Sequence, residues 1–189
     1  MKARRVKGLD SEGPLVDNLE RIVRVRLDEL YGFVPAALDP DETETLHDMR
    51  IAAKRLRYIL EVAEPCFGPY AEKARRRAKE LQDLLGEIHD CDVTRPRVLA
   101  LAAELQAADM LDVLGRADGA QDLDPALVAA SRHASAWRGL TTLAVYLGAR
   151  RALLFERFRD LWRELERQGF RARLQYAISE RPQEAPATP

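Results

Sequence analysis

Two rows of polar side chains at helical spacing could hold a chain of anions. His47, Arg50, Lys54, Arg57 and Glu61 recur at gaps of three and four, and so do Glu72, Arg75, Lys79, Gln82, Gly86 and His89. Arginine presents a planar fork of N–H donors that fits phosphate oxygens, and lysine adds a mobile point charge. The two histidines donate one hydrogen bond each when neutral and two when charged, and a nearby phosphate favours the charged form. The run Arg50–Lys54–Arg57 extends roughly 10 Å along a helix axis, longer than a single phosphate needs. Donors of this kind at this spacing suit a polyanion with a repeating charge.

These rows need helices to carry them. One residue ahead of the first runs an apolar line: Leu46, Met49, Ala53, Leu56, Leu60 and Ala63. One residue ahead of the second runs another: Ala71, Ala74, Ala78, Leu81, Leu85 and Ile88. A three-four rhythm is helical, and an offset of one residue turns the polar row about 100° from the apolar one. Each helix can bury one edge and set its cations beside the seam, so two of them packed together would make a basic groove. Gly86, lacking a side chain, would let backbone or ligand approach closely.

The remaining chain reads as helix too. Strand signals are scarce, and the pattern predicts an all-α antiparallel bundle of about five main helices. The first covers Leu15 to Leu30. The second covers Thr43 to Glu64, opened by the acidic turn Asp39-Pro40-Asp41-Glu42 and stopped by Pro65 and Gly68. The third runs from Pro69 to Asp90. A fourth starts at Thr94-Arg95-Pro96, with proline in its first turn, and fades near Gly115. Arg116 to Ala134 reads as a long connection with one short helical turn at most. The fifth runs from Ser135 to Gln168, closed by Gly169. Residues 1–175 read as one domain and 176–189 as a disordered tail, most clearly from Arg181 onward, where three prolines fall. In the fifth helix Arg151 occupies a seam position between Leu147 and Leu154. A lone buried guanidinium is costly, so an acidic side chain reaches it, an external anion does, or it snorkels.

Bulk composition narrows the function classes. The chain has 189 residues, 47% hydrophobic and 32% charged, with 30 Lys and Arg against 31 Asp and Glu. That balance describes a globular protein and argues against one that is basic all over. From Arg50 to Lys79, however, nine cations face three acids, a local balance of +6. No apolar run approaches a membrane span and no signal peptide is evident, so a cytoplasmic protein without a membrane partner is expected. The two cysteines, Cys66 and Cys91, give no disulfide framework. Catalysis finds no Ser-His-Asp spacing, Walker loop or paired carboxylates, so the chain reads as no enzyme and no cofactor is called for. His89-Asp90-Cys91-Asp92 offers metal-ligand types, but neighbouring residues on a helix splay apart; no metal site is assigned. Nucleic acid competes for a basic groove, yet bases want stacking partners, and the aromatics near the rows are only Tyr58, Phe67 and Tyr70. A helical scaffold for an acidic protein is the third reading.

The stretch His47-Asp48-Met49-Arg50-Ile51-Ala52-Ala53-Lys54-Arg55-Leu56-Arg57-Tyr58 resembles the signature of the conserved histidine α-helical domain (CHAD) family. Leu81-Gln82-Asp83-Leu84-Leu85-Gly86-Glu87-Ile88-His89-Asp90-Cys91-Asp92-Val93 resembles that family's second block. The match is specific over Leu46 to Val93 and looser in the fifth helix, at Arg150, Arg151 and Trp162. The resemblance implies an all-helical fold whose basic surface or channel binds inorganic polyphosphate, and for some members a link to polyphosphate granules. It makes Arg50, Lys54, Arg57, Arg75 and Lys79 the expected main phosphate contacts. His47, Gln82 and His89 would add hydrogen bonds, with Arg55, Arg76, Arg77 and Arg151 as secondary candidates. Many members carry two pseudo-symmetric bundles, each with a His–Arg block. This chain shows one, so the second half has diverged or a second copy supplies it, and a homodimer stays open. Members fused to a triphosphate tunnel carry a Glu-x-Glu-x-Lys strand; here Glu42-Thr43-Glu44-Thr45 leads to Leu46.

Overall fold

A computed structural model describes residues 2–180. The described residues are all-α, in six helices: α1 Leu15–Tyr31, α2 Val34–Ala37, α3 Thr43–Arg116, α4 Pro125–Ala129, α5 Ala134–Arg167 and α6 Phe170–Ser179. Gly68 breaks α3 into two limbs, 43–67 and 69–116, with φ 69° and ψ −165°. Only glycine populates that region freely. The second and third predicted helices are therefore the arms of a hairpin bent at Gly68.

The expected boundary between the third and fourth helices does not exist. Thr94-Arg95-Pro96 caps nothing; the second limb runs through it to Arg116. A proline inside a helix removes one backbone hydrogen bond and crowds the preceding turn. That turn is anchored here, because Asp92 accepts a hydrogen bond from Arg151 Nε of α5 at 3.0 Å. A second correction lies at the other end of the chain. Gly169 adopts the left-handed conformation, with φ 65° and ψ 37°, and closes α5 as expected. The chain then re-enters helix as α6, which runs through the 175–176 boundary to Ser179. Residues 181–189 of the expected tail lie outside the described residues. The long connection does hold one short helix, α4, capped by Asp124 Oδ1 accepting from the backbone N–H of Ala126 at 2.9 Å.

The described residues divide into two compact units, one of residues 2–89 with 154–180 and one of residues 90–153. The first holds the larger core. All twelve residues of the two apolar lines are buried, none more than 2% exposed. Leu19, Val23, Leu27 and Leu30 of α1, Phe158 and Leu165 of α5, and Leu174 and Ile178 of α6 join them. Each fully buried large apolar side chain stabilises by about 1.5–3 kcal/mol, against at most about 1 kcal/mol for an exposed ion pair. Packing of the seams therefore sets the hairpin, and the polar rows follow. Inside this unit, buried Glu29 of α1 accepts from the backbone N–H of Arg4 (3.1 Å), from Arg55 Nη1 (3.1 Å) and from Arg26.

In the second unit a polar cluster centres on buried Asp109. Its carboxylate accepts from the His133 backbone N–H (3.1 and 3.2 Å) and from Trp137 Nε1 (3.2 Å), and lies 2.8 Å from His133 Nδ1. Burial pushes the Asp109 carboxyl upward. The hydrogen bonds from His133 and Trp137 outweigh it and hold the group below the usual carboxylate range.

Two outcomes follow for stability. At Gly68 an added Cβ would meet nothing within 4 Å, so Gly68→Ala meets only backbone strain, costing about 1–3 kcal/mol in denaturant unfolding. Because the folded carboxyl of Asp109 is depressed, its stabilisation is present above the unfolded value near pH 4 and fades as pH falls below it. Asp109→Asn is expected to melt lower than the parent at pH 7, and thermal melts should show that gap narrowing toward pH 2.

Candidate functional site

The hairpin of α3 carries both polar rows within the first unit, and its antiparallel arms run the second row back along the first. The His47 and His89 rings lie 4.4 Å apart between centroids, tilted by 38°. One step toward the bend, Arg50 rests against Gly86, where an added Cβ would come within 3.3 Å of Arg50 Nε. The same register, carried on, would bring Lys54 toward Gln82 and Arg57 toward Lys79, while Lys79 itself lines a cleft with Arg76, Asp83, Glu87 and Arg157 of α5. Gly86 is thus explained by an arginine of the other arm lying over its backbone.

The cations of the first row differ from those around them. Among the described residues Arg50, Lys54 and Arg57 form no ion pair. Each is half-buried. Four polar atoms in this zone are buried without a hydrogen-bond partner in the protein: His47 Nδ1, Arg50 Nε, Arg57 Nε and Gln82 Oε1. Most buried polar atoms are satisfied, so a cluster of exceptions calls for a physical reason. The Arg57 guanidinium carbon stands 4.2 Å from the centre of the Tyr58 ring, and Lys54 Nζ lies 5.8 Å from it. That contact orients the arginine without neutralising it. Tyr58 sits four residues after Lys54 and one after Arg57, spacing that makes it a ring within reach of both; the sequence reading gave it no role.

The second row is mostly paired. Arg75 Nε donates to Glu64 at 2.7 Å, and Lys79 Nζ to Asp83 at 2.7 Å. Arg76 lies 3.4 Å from Glu72. These pairs are partly or largely exposed, so each contributes little and can exchange. Three expected secondary residues are placed elsewhere. Arg55 is tied to buried Glu29. Arg77 bridges Glu80 and Glu164; burial pulls its guanidinium down, yet those two carboxylates hold it above its ordinary value. Arg151 belongs to the second unit, where Asp92 is its partner at 3.0 Å. Of the alternatives for Arg151, the acidic partner is the one observed.

The structure thus brings His47 to His89 and Arg50 to Gly86, with Lys54, Arg57, Lys79 and Gln82 carried on the same two arms. The arrangement is a ladder of hydrogen-bond donors and positive charges with few carboxylates among them. Chemically it can hold an extended anion through several contacts at once. Among the described residues, no three His, Cys, Asp or Glu side chains converge as metal ligands, and no helix is long and apolar enough to cross a membrane.

Comparison with known proteins returns one family. The model of the CHAD domain matches residues 3–99, which include both arms down to His89 and cover just over half of the chain. No curated protein and no solved structure matches. CHAD domains are associated in general with polyphosphate binding and are generally binding modules rather than catalytic ones. With His47, His89, the arginine row and the bend at Gly68 inside the matched span, this chain belongs to the CHAD domain family.

Proposed function

We propose that this protein binds inorganic polyphosphate, without chemistry, in a basic groove along the α3 hairpin. The observation that carries the reading is the row Arg50, Lys54 and Arg57: half-buried, free of ion pairs among the described residues, and with Arg50 lying over Gly86 of the opposite arm. Arg50, Lys54 and Arg57 would make the first contacts. Lys79 and Arg75 would exchange Asp83 and Glu64 for ligand phosphates, and His47, Gln82 and His89 would add hydrogen bonds. Residence in the cytoplasm, at polyphosphate granules, goes with this reading.

Nucleic acid is the alternative to beat, since any phosphodiester chain shares the charge. Tyr58 is the aromatic within the row, and Arg57 already covers its ring. A base gains little there, which favours a ligand with no bases.

Replacing Arg50 and Lys54 together by alanine removes two charged contacts, each worth about 1.5–3 kcal/mol. Calorimetry should show affinity for long-chain polyphosphate falling at least about a hundredfold, with unchanged helical circular dichroism. Tight binding retained by that variant would reject the site, and tighter binding of single-stranded DNA than of polyphosphate at two salt concentrations would reject the ligand. Gly86→Ala separates stability from binding. Alanine is up to about 1 kcal/mol better than glycine inside a helix, but its Cβ displaces Arg50. The variant should melt no lower than the parent and bind polyphosphate several-fold more weakly.

A further inference from the structure

Continued past its cations, the first polar row changes sign at both ends. Glu44 stands three residues before His47, and Glu61 four residues after Arg57, in the same rhythm and on the same limb. Both are exposed. Neither makes an ion pair among the described residues. The opposite arm repeats this at the bend, where Glu72 precedes Arg75. Glu61, Glu64 and Glu72 line one cleft there with Pro65, Gly68 and Pro69. Between the brackets, His47 to Arg57 covers about 15 Å of helix, and Glu44 to Glu61 about 25 Å. Of the six buried polar atoms without a hydrogen-bond partner among the described residues, three, on His47, Arg50 and Arg57, belong to the bracketed stretch, and a fourth, on Gln82, to the opposite arm.

From this we infer that the groove takes a short run of phosphates of fixed length, bounded by Glu44 and Glu61, and does not thread a long chain from end to end. The inference rests on the polyphosphate reading above and deepens it by naming the ligand segment that one site holds. A phosphate laid against either carboxylate meets a like charge in place of a donor. A chain longer than the bracketed stretch must therefore leave the surface at its ends, and its free length is open to further copies of the protein. Arg75 marks the bend-side end of the run, where it meets a phosphate only by giving up Glu64.

The test is calorimetry of the intact chain with orthophosphate, pyrophosphate, tripolyphosphate and a graded series of longer linear polyphosphates. Affinity per site should climb through the short members and level off once the bracketed stretch is filled. Beyond that point the number of protein molecules per chain should grow in proportion to chain length. The double variant Glu44→Gln, Glu61→Gln removes both brackets from exposed helix positions, and circular dichroism checks that it folds. Its affinity for long chains should exceed the parent's by about fivefold or more, the worth of relieving one close like-charge contact in water, with affinity for tripolyphosphate unchanged. Per-site affinity of the parent that keeps rising with length, or a double variant indistinguishable from the parent on long chains, would overturn the bounded site while leaving polyphosphate binding intact. Failure of the parent to bind any member of the series would overturn the underlying reading instead, and the inference with it.

Discussion

The antiparallel seam of the α3 hairpin is the constraint on which the remaining arrangement depends. Twelve small or aliphatic residues, six from each arm, are buried along it, and their order leaves one register in which His47 meets His89 and Arg50 meets Gly86. Alanines fill half of the second line, at Ala71, Ala74 and Ala78, and they fall nearest the bend, where two arms leaving a single residue must stay close. Bulkier Leu81, Leu85 and Ile88 fill the part of the line farther from the bend. Polar side chains one position away have no choice of partner once this is set. A shift of the seam by one helical turn would place Arg50 over Gln82 or Asp90 instead of over bare backbone.

Holding like charges together in half-buried positions opposes folding, and glycine inside a helix adds about 1 kcal/mol to that cost. The hairpin tolerates both because the seam beneath contributes far more. Arg55 and Arg77 show the opposite solution on the same element. Each has carboxylate partners, Glu29 for one and Glu80 with Glu164 for the other, and each serves the fold. Cations tied to carboxylates and cations left without them thus occupy different positions on one helix. A residue's charge alone does not say which it serves; its partner does.

How much of this was legible in the sequence depends on the range of the interaction. The two stripes were plain, since period and offset are local properties of a helix, and the burial of every residue in them follows from that periodicity. The all-α class followed for the same reason. What lies across the chain was not plain. Pro96 is an ordinary helix-start signal, and the helix runs through it beside a turn that Arg151, 59 residues away, holds through Asp92. Gly169 signals an ending correctly, but Phe170, Leu174, Ala177 and Ile178 behind it form a helical face too short to stand out from a nearby tail. For the candidate site, residue types and spacing named the cations, but not which were already engaged. Glu64 reaching Arg75 and Glu29 reaching Arg55 are separated by 11 and 26 residues, and no periodicity announces them. Tyr58 and the reason for Gly86 are likewise cross-contacts, visible only when the arms are closed.

The cysteines carry a practical consequence. Cys91 is buried, with Arg150 Nη1 3.8 Å from its sulfur, while Cys66 is half-exposed two residues before the bend at Gly68. A thiol-directed fluorophore or spin label would attach selectively at Cys66 in the native protein without mutagenesis. That gives an optical or magnetic handle on the tip of the hairpin, beyond the last cation of the row and so clear of whatever those cations hold.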